Sequence, residues 1–459
     1  MSIQNTTNLN LIKNFNREVD MTRIFLTILL VTSIFSSIAC VQKGGNGTTT
    51  TTNTGDTIKV GVYGDTSGAT SSFGQSTKNG IDLAFAEINA AGGVNGKQLQ
   101  MVFEDDQGTP EKAKTVISKL ISQDKVVAVL GEVASSNSLA AAPVAQEAKI
   151  PMITPSSTNP KVTEVGDYIS RVCFIDPFQG SVMAKFAANT LKAKTAAILG
   201  DNSSDYSKGL TKFFEEEFTK LGGKVITKQT YAQKDQDFKA QLTQMRDQKP
   251  DVIYVPGYYG EVGIIAKQAR ELGMNMPLLG GDGWDSPELW KLGGAALKPA
   301  YISNHYSADN PAPEIQNFVK AYQAKFNVAP DSLAALAYDS AKVLADAIKR
   351  AGGTESAKLK DAINSTKDFK GVTGTITLDS SRNAVKSAVV LELNPPSSKF
   401  DFKETIYPEG MTPSASTATT ANSNAANTTN TVNTNMATNS TTNANAATNS
   451  TANTNAANK

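Results

Sequence analysis

Histidine and cysteine are scarce in this chain, and their scarcity removes several kinds of functional site. The 459 residues include one histidine, His305, and two cysteines, Cys40 and Cys173. A single histidine cannot form a histidine-based metal cluster, and it leaves only one position for a histidine base in a nucleophile triad. The sequence therefore predicts no metal site, no cofactor and no catalytic residues.

Excess charge of either sign is also lacking. The formal net charge is +1 at pH 7. A chain with so little net charge has no electrostatic signature of nucleic-acid binding, so we expect no nucleic-acid partner. The chain is longer than one ordinary domain, and we expect two domains or lobes with terminal appendages.

The N-terminal segment has the features of an export signal. Arg23 precedes an apolar run that ends at Cys40 and is too short, with the wrong flanks, for a convincing membrane span. Ser37–Cys40 resembles a bacterial lipobox, which implies cleavage before Cys40 and diacylation of its thiol. We expect a signal peptide over 1–39, with Met21 as an alternative start, and a lipid anchor in the cell envelope. A plain secretory peptide with an incidental cysteine is the alternative.

Low-complexity segments flank the middle of the chain. Residues 40–56 are rich in Gly, Thr and Asn, which predicts a flexible tether. Residues 411–459 are almost entirely Asn, Thr, Ala and Ser, and they bury too little apolar surface to fold, so we expect a disordered tail. Cys173 has no partner once Cys40 is lipidated, and we interpret it as a buried strand thiol rather than a nucleophile.

The middle of the chain alternates between short apolar runs and helical segments. This pattern is typical of β-α-β units and predicts an α/β fold with parallel sheets. A first series begins at the strand Ile58–Val62, and a second begins at the helix Gly180–Leu191. The helices that follow the second series are left to pack on the first series. This order indicates two lobes joined by several crossings of the chain.

Hydroxyl groups follow two neighbouring strands of the first series. The strand Val126–Leu130 leads to Ser135, and the strand Pro151–Thr154 leads to Ser156 and Thr158. Ligands bind beyond the carboxyl ends of strands in open parallel sheets, and these groups suit a small carboxylate. The alternative is that the hydroxyls only cap the following helices.

Several motifs, in order, resemble the branched-chain amino acid binding proteins of ABC importers, which are periplasmic binding proteins of the leucine/isoleucine/valine type. The resemblance covers roughly Thr57–Tyr407. The motifs that carry it are the following: Glu87–Gly96, Asp105-Asp106, Gly131–Ser138, Pro155–Pro160, Asp176–Gly180, Tyr258–Gly263 and Ala269–Gly273.

This resemblance implies the type I fold of periplasmic binding proteins, with two Rossmann-like lobes joined by three crossings. Lobe one would comprise 57–176 and 306–375, and lobe two would comprise 177–305 and 376–410. It also implies a monomer whose lobes close on a small amino acid, branched-chain by preference, and deliver it to the membrane permease subunits.

The residues of the family's ligand site can be matched to positions in this sequence. The resemblance implies that Ser135 and Thr158 hold the backbone groups of the amino acid, that Ser156 adds backbone contacts, and that Asp282 pairs with the α-ammonium. Three aromatic residues would wall the pocket: Phe73, Tyr206 and Tyr258. The family's usual acid is Glu, so the shorter Asp282 is a departure. Asp285 either adds a second acid or caps the next helix.

Other interpretations of these residues remain open. The two tyrosines could be interface residues, Asp282 a turn acid and Phe73 a core residue, while we interpret His305 as a hinge or surface residue. A binding protein for urea, short amides or aromatic acids is an alternative, as is a ligand sensor of the same fold. An enzyme is disfavoured because the glycine spacings fit neither a phosphate loop nor a dinucleotide fingerprint.

Overall fold

The computed structural model describes residues 57–411. The predicted signal peptide, the lipidation of Cys40, the tether and the tail beyond Met411 lie outside these residues. Among the helices described, none is both long and apolar enough to cross a membrane.

The described part of the chain begins with an alternation of parallel strands and helices. Its strands are Ile58–Gly64 (β1), Leu99–Asp105 (β2), Ala128–Leu130 (β3), Met152–Thr154 (β4) and Ile169–Arg171 (β5). The helices are Ser71–Ala90 (α1), Pro110–Ser122 (α2), Ser135–Ala148 (α3) and Lys161–Glu164 (α4). The strands form one parallel sheet in the order β2-β1-β3-β4-β5.

A second alternation follows. Its strands are Thr195–Asp201 (β6), Lys224–Tyr231 (β7), Val252–Tyr254 (β8), Leu278–Gly280 (β9) and Ala300–Asn304 (β10). The helices are Asp176–Lys185 (α5), Asp205–Lys220 (α6), Lys239–Asp247 (α7), Tyr259–Glu271 (α8) and Pro287–Gly293 (α9). A π-helical turn, Phe186–Thr190, extends α5, and a 3-10 turn, Asp282–Trp284, follows β9.

The remaining elements complete both halves. They are the helices Pro313–Phe326 (α10), Ser332–Ala351 (α11) and Ser356–Asn364 (α12), the hairpin Phe369–Gly371 (β11) and Gly374–Ile376 (β12), and the strands Ala388–Asn394 (β13) and Lys399–Ile406 (β14). The second sheet has the order β14-β13-β10-β9-β8-β6-β7, in which β13 and β14 pair antiparallel.

Local chemistry explains where the long helices begin and end. Asp331 precedes α11, and its Oδ1 accepts a hydrogen bond from Ala334 N at 2.8 Å, while Gly352 ends the helix with φ = 70°. Ser204 caps α6 in the same way by accepting from Ser207 N at 3.3 Å. The Ser204 cap holds the start of α6 at the end of the preceding strand, β6, where a ligand would bind.

Two lobes, as the sequence predicted, are built around these sheets. The first lobe holds the first sheet with α1–α4 and α10–α12, and the second lobe holds the second sheet with α5–α9. The chain passes between them after β5, after β10 and between β12 and β13. The predicted fold class, α/β with parallel sheets in two lobes, is confirmed.

The last crossing lies later than the sequence indicated. Ile376, Leu378 and Ala384 pack in the core of the first lobe, whereas Ala388 and Val390 pack in the core of the second. The predicted boundary between residues 375 and 376 therefore precedes the crossing. The physical reason is that β12 pairs with β11 rather than with the second sheet.

Candidate functional site

The carboxyl ends of strands from both lobes face each other across a cleft. Ser136 Oγ donates a hydrogen bond to Asp205 Oδ2 at 2.9 Å, and Ser286 Oγ donates to Ser72 Oγ at 2.9 Å. Asn159 Nδ2 also donates to the backbone oxygen of Asp205, at 2.9 Å. Because these bonds join the two lobes directly, the structure represents a closed arrangement.

A small cavity lies inside the closed cleft. Its lining residues are Phe73, Val133, Ser156, Tyr206, Tyr258, Asp282, Gly283 and Leu333. Five of the seven predicted ligand-binding residues therefore surround one cavity: Phe73, Ser156, Tyr206, Tyr258 and Asp282. Ser135 and Thr158 are buried next to it but do not line it.

Asp282 is the acid of this cavity, and it is surrounded by donors. Gln179 Nε2 and Tyr206 OH both donate to Oδ1, at 2.6 and 2.8 Å. His305 Nε2 lies 2.9 Å from Oδ2. Asp282 is only 3% exposed, so these bonds replace the water that a surface carboxylate would have.

These donors decide the charge of the acid. Burial by itself raises the pKa of Asp282, but the hydrogen bond and the electrostatic attraction of His305, together with hydrogen bonds from Gln179 and Tyr206, outweigh burial and hold that pKa below its usual value of 3.8. Burial lowers the pKa of His305 below 6.5, against the opposing effect of Asp282. At neutral pH the cavity therefore contains an ionised Asp282 and a neutral His305, which donates from Nε2.

Aromatic rings enclose the space beside Asp282. The rings of Tyr206 and Tyr258 stack with centroids 5.3 Å apart, and Phe73 meets Tyr258 edge-on at 5.6 Å. Phe73 comes from the first lobe and the tyrosines come from the second, so closure assembles the wall. Such rings exclude water and offer an apolar surface to a ligand side chain.

The first lobe contributes hydroxyl groups. Within residues 57–411, Ser156 Oγ is buried and finds no hydrogen-bond partner. Ser135 Oγ differs, since it accepts from Asn159 N at 3.2 Å. A free donor on Ser156, in the cavity that also contains the Asp282 carboxylate, gives the site opposite polarities on its two sides.

His305 follows β10 at the second crossing between the lobes, which is the hinge alternative, but it is buried and contacts Asp282, so it is not apart from the site. Asp285 does not line the cavity, and Ser286 caps α9 instead. Asp285 Oδ2 accepts hydrogen bonds from Asn304 Nδ2 and Ser332 N, at 2.8 and 2.9 Å. Asp285 therefore joins the lobes, which is neither of the two predicted roles.

Sequence reasoning also missed Gln179, Val133 and Leu333. Gln179 could have been found, because it lies in the Asp176–Gly180 motif that marks the first crossing. The apolar pair could not, since nothing in an apolar pattern separates a cavity wall from a core. Cys173 is buried as predicted, and burial raises the pKa of its thiol to about 12, which argues against a nucleophile.

The site contains no metal-binding constellation. Within the described range 57–411, no group of three or more His, Cys, Asp or Glu side chains could hold a metal ion. The cavity offers one anion, hydroxyl donors and aromatic walls. That set recognises a small molecule that carries one positive and one negative group on an apolar frame.

Comparisons with known proteins agree with this geometry. The family described as periplasmic binding protein matches residues 57–395. An amino acid binding protein of Pseudomonas aeruginosa is 34% identical over 312 residues, which cover 67% of this chain and 82% of that protein.

Solved structures give the same result. A leucine binding protein from Thermotoga maritima matches with a TM-score of 0.74 and 40% identity, covering 77% of this chain and 100% of that one. A branched-chain amino acid transporter substrate binding protein from Streptococcus pneumoniae, in complex with isoleucine, matches with a TM-score of 0.73 and 37% identity, covering 77% and 100%. This chain belongs to the periplasmic binding protein family.

Proposed function

We propose that the protein is the extracytoplasmic solute-binding component of an ABC importer and that it binds a small L-amino acid, branched-chain by preference. The lobes close on the ligand, and the closed form delivers it to the permease subunits in the membrane. The protein acts as a monomer and performs no catalysis. The names of the similar proteins from Thermotoga maritima and Streptococcus pneumoniae support the ligand class.

One observation carries the proposal: an ionised, buried Asp282 lies in the same cavity as the unpartnered hydroxyl of Ser156. The α-ammonium of an amino acid supplies the positive charge that the buried Asp282 lacks. Ser156, with Ser135 and Thr158 behind it, offers hydroxyl donors to the carboxylate. Phe73, Tyr206 and Tyr258 then enclose an apolar side chain.

A thermal-shift panel tests the ligand class. The purified protein is first freed of co-purified ligand by unfolding and refolding, then heated with each L-amino acid in turn. A ligand that binds only the folded form raises the melting temperature, and a concentration of a hundred times Kd adds about 2.7 kcal/mol of stability. We expect L-leucine, L-isoleucine and L-valine to give the largest shifts.

Matched controls identify the groups that the site recognises. D-leucine has the same atoms with the wrong handedness, and 4-hydroxybenzoate, urea and acetamide lack the α-ammonium. None of these should stabilise the protein. Stabilisation by 4-hydroxybenzoate, urea or acetamide, but by no L-amino acid, would contradict the role of Asp282 and favour the alternative ligand classes.

We also propose that the mature protein begins at a diacylated Cys40, on the basis of the lipobox resemblance. Cys40→Ser should then release the protein from the membrane fraction of the producing cells, as judged by immunoblotting. Cys173→Ser is the matched control, because Cys173 is buried in the folded protein and leaves the anchor intact. Release of neither variant, or of both, would contradict the lipid anchor.

A further inference from the structure

The hydrogen bonds around Asp282 leave little room for a ligand on its carboxylate. Each carboxylate oxygen accepts about two hydrogen bonds. Gln179 and Tyr206 fill both positions on Oδ1, and His305 fills one on Oδ2. One position on Oδ2 therefore remains, and the direction in which it points depends on His305.

His305 is itself held firmly. It follows β10 at the second crossing between the lobes, and its ring stacks on Phe174 with a centroid distance of 3.8 Å and an interplanar angle of 20°. Its backbone N–H donates to Asn304 Oδ1 at 2.8 Å. Phe174 belongs to the first crossing, so two of the three crossings fix the ring that contacts Asp282.

We propose that His305, the one histidine of the chain, is a positioning residue that orients Asp282 toward the α-ammonium of the bound amino acid. Protonation of His305 then competes with ligand binding, because a second cation would share the same carboxylate. The inference rests on the proposed function, since it assigns a role within that binding site.

Electrostatics give the reason for a histidine at this position. Neutral His305 donates a hydrogen bond without cancelling the charge of Asp282, so the carboxylate stays available to one cation. Burial lowers the pKa of His305, and His305 therefore becomes cationic only below pH 6.5. A lysine here would be charged at neutral pH and would occupy the acid permanently.

Other titratable groups lie near this pair. Lys386, from the third crossing, further disfavours the cationic form of His305, and Cys173 lies beside Phe174 on the first crossing. Burial lowers the pKa of Lys386 to about 8 and raises that of Asp176 to about 8. Both groups titrate in the neutral range, so only a difference between variants isolates His305.

Two substitutions separate the donor from the ring. His305→Gln keeps an N–H donor that can reach Asp282 Oδ2, and His305→Leu keeps the bulk but removes the donor. We expect His305→Leu to weaken L-leucine binding to the purified full-length protein by roughly ten- to a hundredfold at pH 7.5. His305→Gln should stay within about threefold of the wild type. Isothermal titration calorimetry measures both.

Phe174→Leu controls for damage to the crossing. This variant removes the stacked ring and leaves the His305 donor in place. Weakening of L-leucine binding by Phe174→Leu equal to that of His305→Leu would overturn the proposal, because packing alone would then explain the effect. Melting curves without ligand establish that each variant folds. If His305→Leu does not fold, the comparison of His305→Gln with the wild type tests the proposal.

The pH profile gives a readout that a packing role would not change. L-leucine keeps the same charges between pH 5 and 8, so only the protein titrates. Below pH 6.5 the affinity of the wild type should fall, by at most about tenfold per pH unit, relative to that of His305→Gln. Parallel profiles for the wild type and His305→Gln would overturn the proposal.

The experiment also separates a failure of the proposed function from a failure of the proposed role of His305. If the wild type binds no L-amino acid, the proposed function fails. If the wild type binds L-leucine and His305→Leu binds it equally well, the proposed function stands and the role of His305 is wrong.

Discussion

Two buried carboxyl groups follow strands that end at the cleft, one in each lobe, and their environments differ. Asp282 follows β9 in the second lobe and Glu132 follows β3 in the first; their exposed fractions are 3% and 1%. Asp282 accepts hydrogen bonds from three side chains. Glu132 Oε2 accepts one bond, from Ala134 N, and Oε1 has no partner among the described residues. Equal burial therefore does not give equal charge.

The neighbours of Glu132 increase the difference. Burial raises the pKa of Glu132 well above 4.5, and the nearby Asp106 and Asp65 raise it further. Burial also raises the pKa of Asp106, to about 7. The first lobe thus favours the protonated, uncharged form of Glu132, whereas the donors of the second lobe favour the ionised form of Asp282.

This contrast matches the two ends of an amino acid. The α-ammonium needs a negative partner, which Asp282 supplies, and the α-carboxylate needs donors without a nearby negative charge. A protonated Glu132, three positions before Ser135 in the loop after β3, satisfies that second need. Donors placed around a carboxyl group, rather than burial, therefore determine which lobe is negative.

The largest loss of affinity is expected from removing the charge of Asp282, the ionised carboxyl group of the second lobe. Asp282→Asn keeps the shape of the side chain and removes its charge, so the ligand ammonium would be buried without a counter-ion. We expect L-leucine binding to weaken by about 2–4 kcal/mol in calorimetric titrations. Asp285→Asn, which weakens a contact between the lobes but leaves the cavity acid in place, separates a loss of closure from the loss of the counter-ion. Equal affinities for Asp282→Asn and the wild type would remove Asp282 from the site.

A smaller loss of affinity is expected when the hydroxyl group of Ser156 is removed from the cavity. Ser156→Ala removes a buried hydroxyl that has no partner within residues 57–411 and that lines the cavity. If that hydroxyl donates to the ligand carboxylate, binding of L-leucine should weaken by about 1–3 kcal/mol, while the stability of the free protein stays unchanged.

For the neighbouring Ser157, we expect a change in stability rather than in affinity. Ser157 Oγ lies 2.9 Å from the backbone oxygens of Glu132 and Val133, so it belongs to the fold of the loop. Ser157→Ala should lower the free energy of unfolding by about 1 kcal/mol in urea titrations and change affinity less. A loss of affinity confined to Ser157→Ala would reverse this assignment.

The sequence predicted most of what positions the site. Periodicity gave β3, α3 and β4 in their correct order, because a fully buried strand between helices has a continuous apolar run. The bounds of the strands shifted by one or two residues; β3, for example, begins at Ala128 rather than Val126. The strand ends carry the cleft residues, so the site could be outlined before the structure was known.

Contacts that depend on three-dimensional closure could not be predicted. His305 contacts an acid on another element of the chain, and no local pattern encodes that contact. The edge strand β14 alternates Phe with charged residues and is largely exposed, so it lacked the apolar run of a central strand. The last crossing was misplaced because β11 and β12 form a separate hairpin.

The smallest effect on binding is expected from Glu132→Gln. This substitution tests most directly whether the carboxyl group of Glu132 in the first lobe is uncharged. A protonated Glu132 and a glutamine carry the same charge, so L-leucine affinity should change by less than about 0.5 kcal/mol. The stability should change in a pH-dependent way. The folded-state pKa of Glu132 lies above its unfolded value of 4.5, so above pH 4.5 the folded protein retains a proton that the unfolded chain releases.

The stability that this proton provides is complete below pH 4.5 and is lost as pH rises toward the folded-state pKa. For one group the slope is at most about 1.4 kcal/mol per pH unit. Urea unfolding of wild type and Glu132→Gln at pH 5, 6, 7 and 8 should therefore show the wild type losing stability relative to the variant as pH rises. Asp106 interacts with Glu132, so the difference between the two curves reports the titration of this pair. Parallel curves, or a variant that loses stability faster, would mean that Glu132 is ionised in the folded protein, and the contrast between the lobes would disappear.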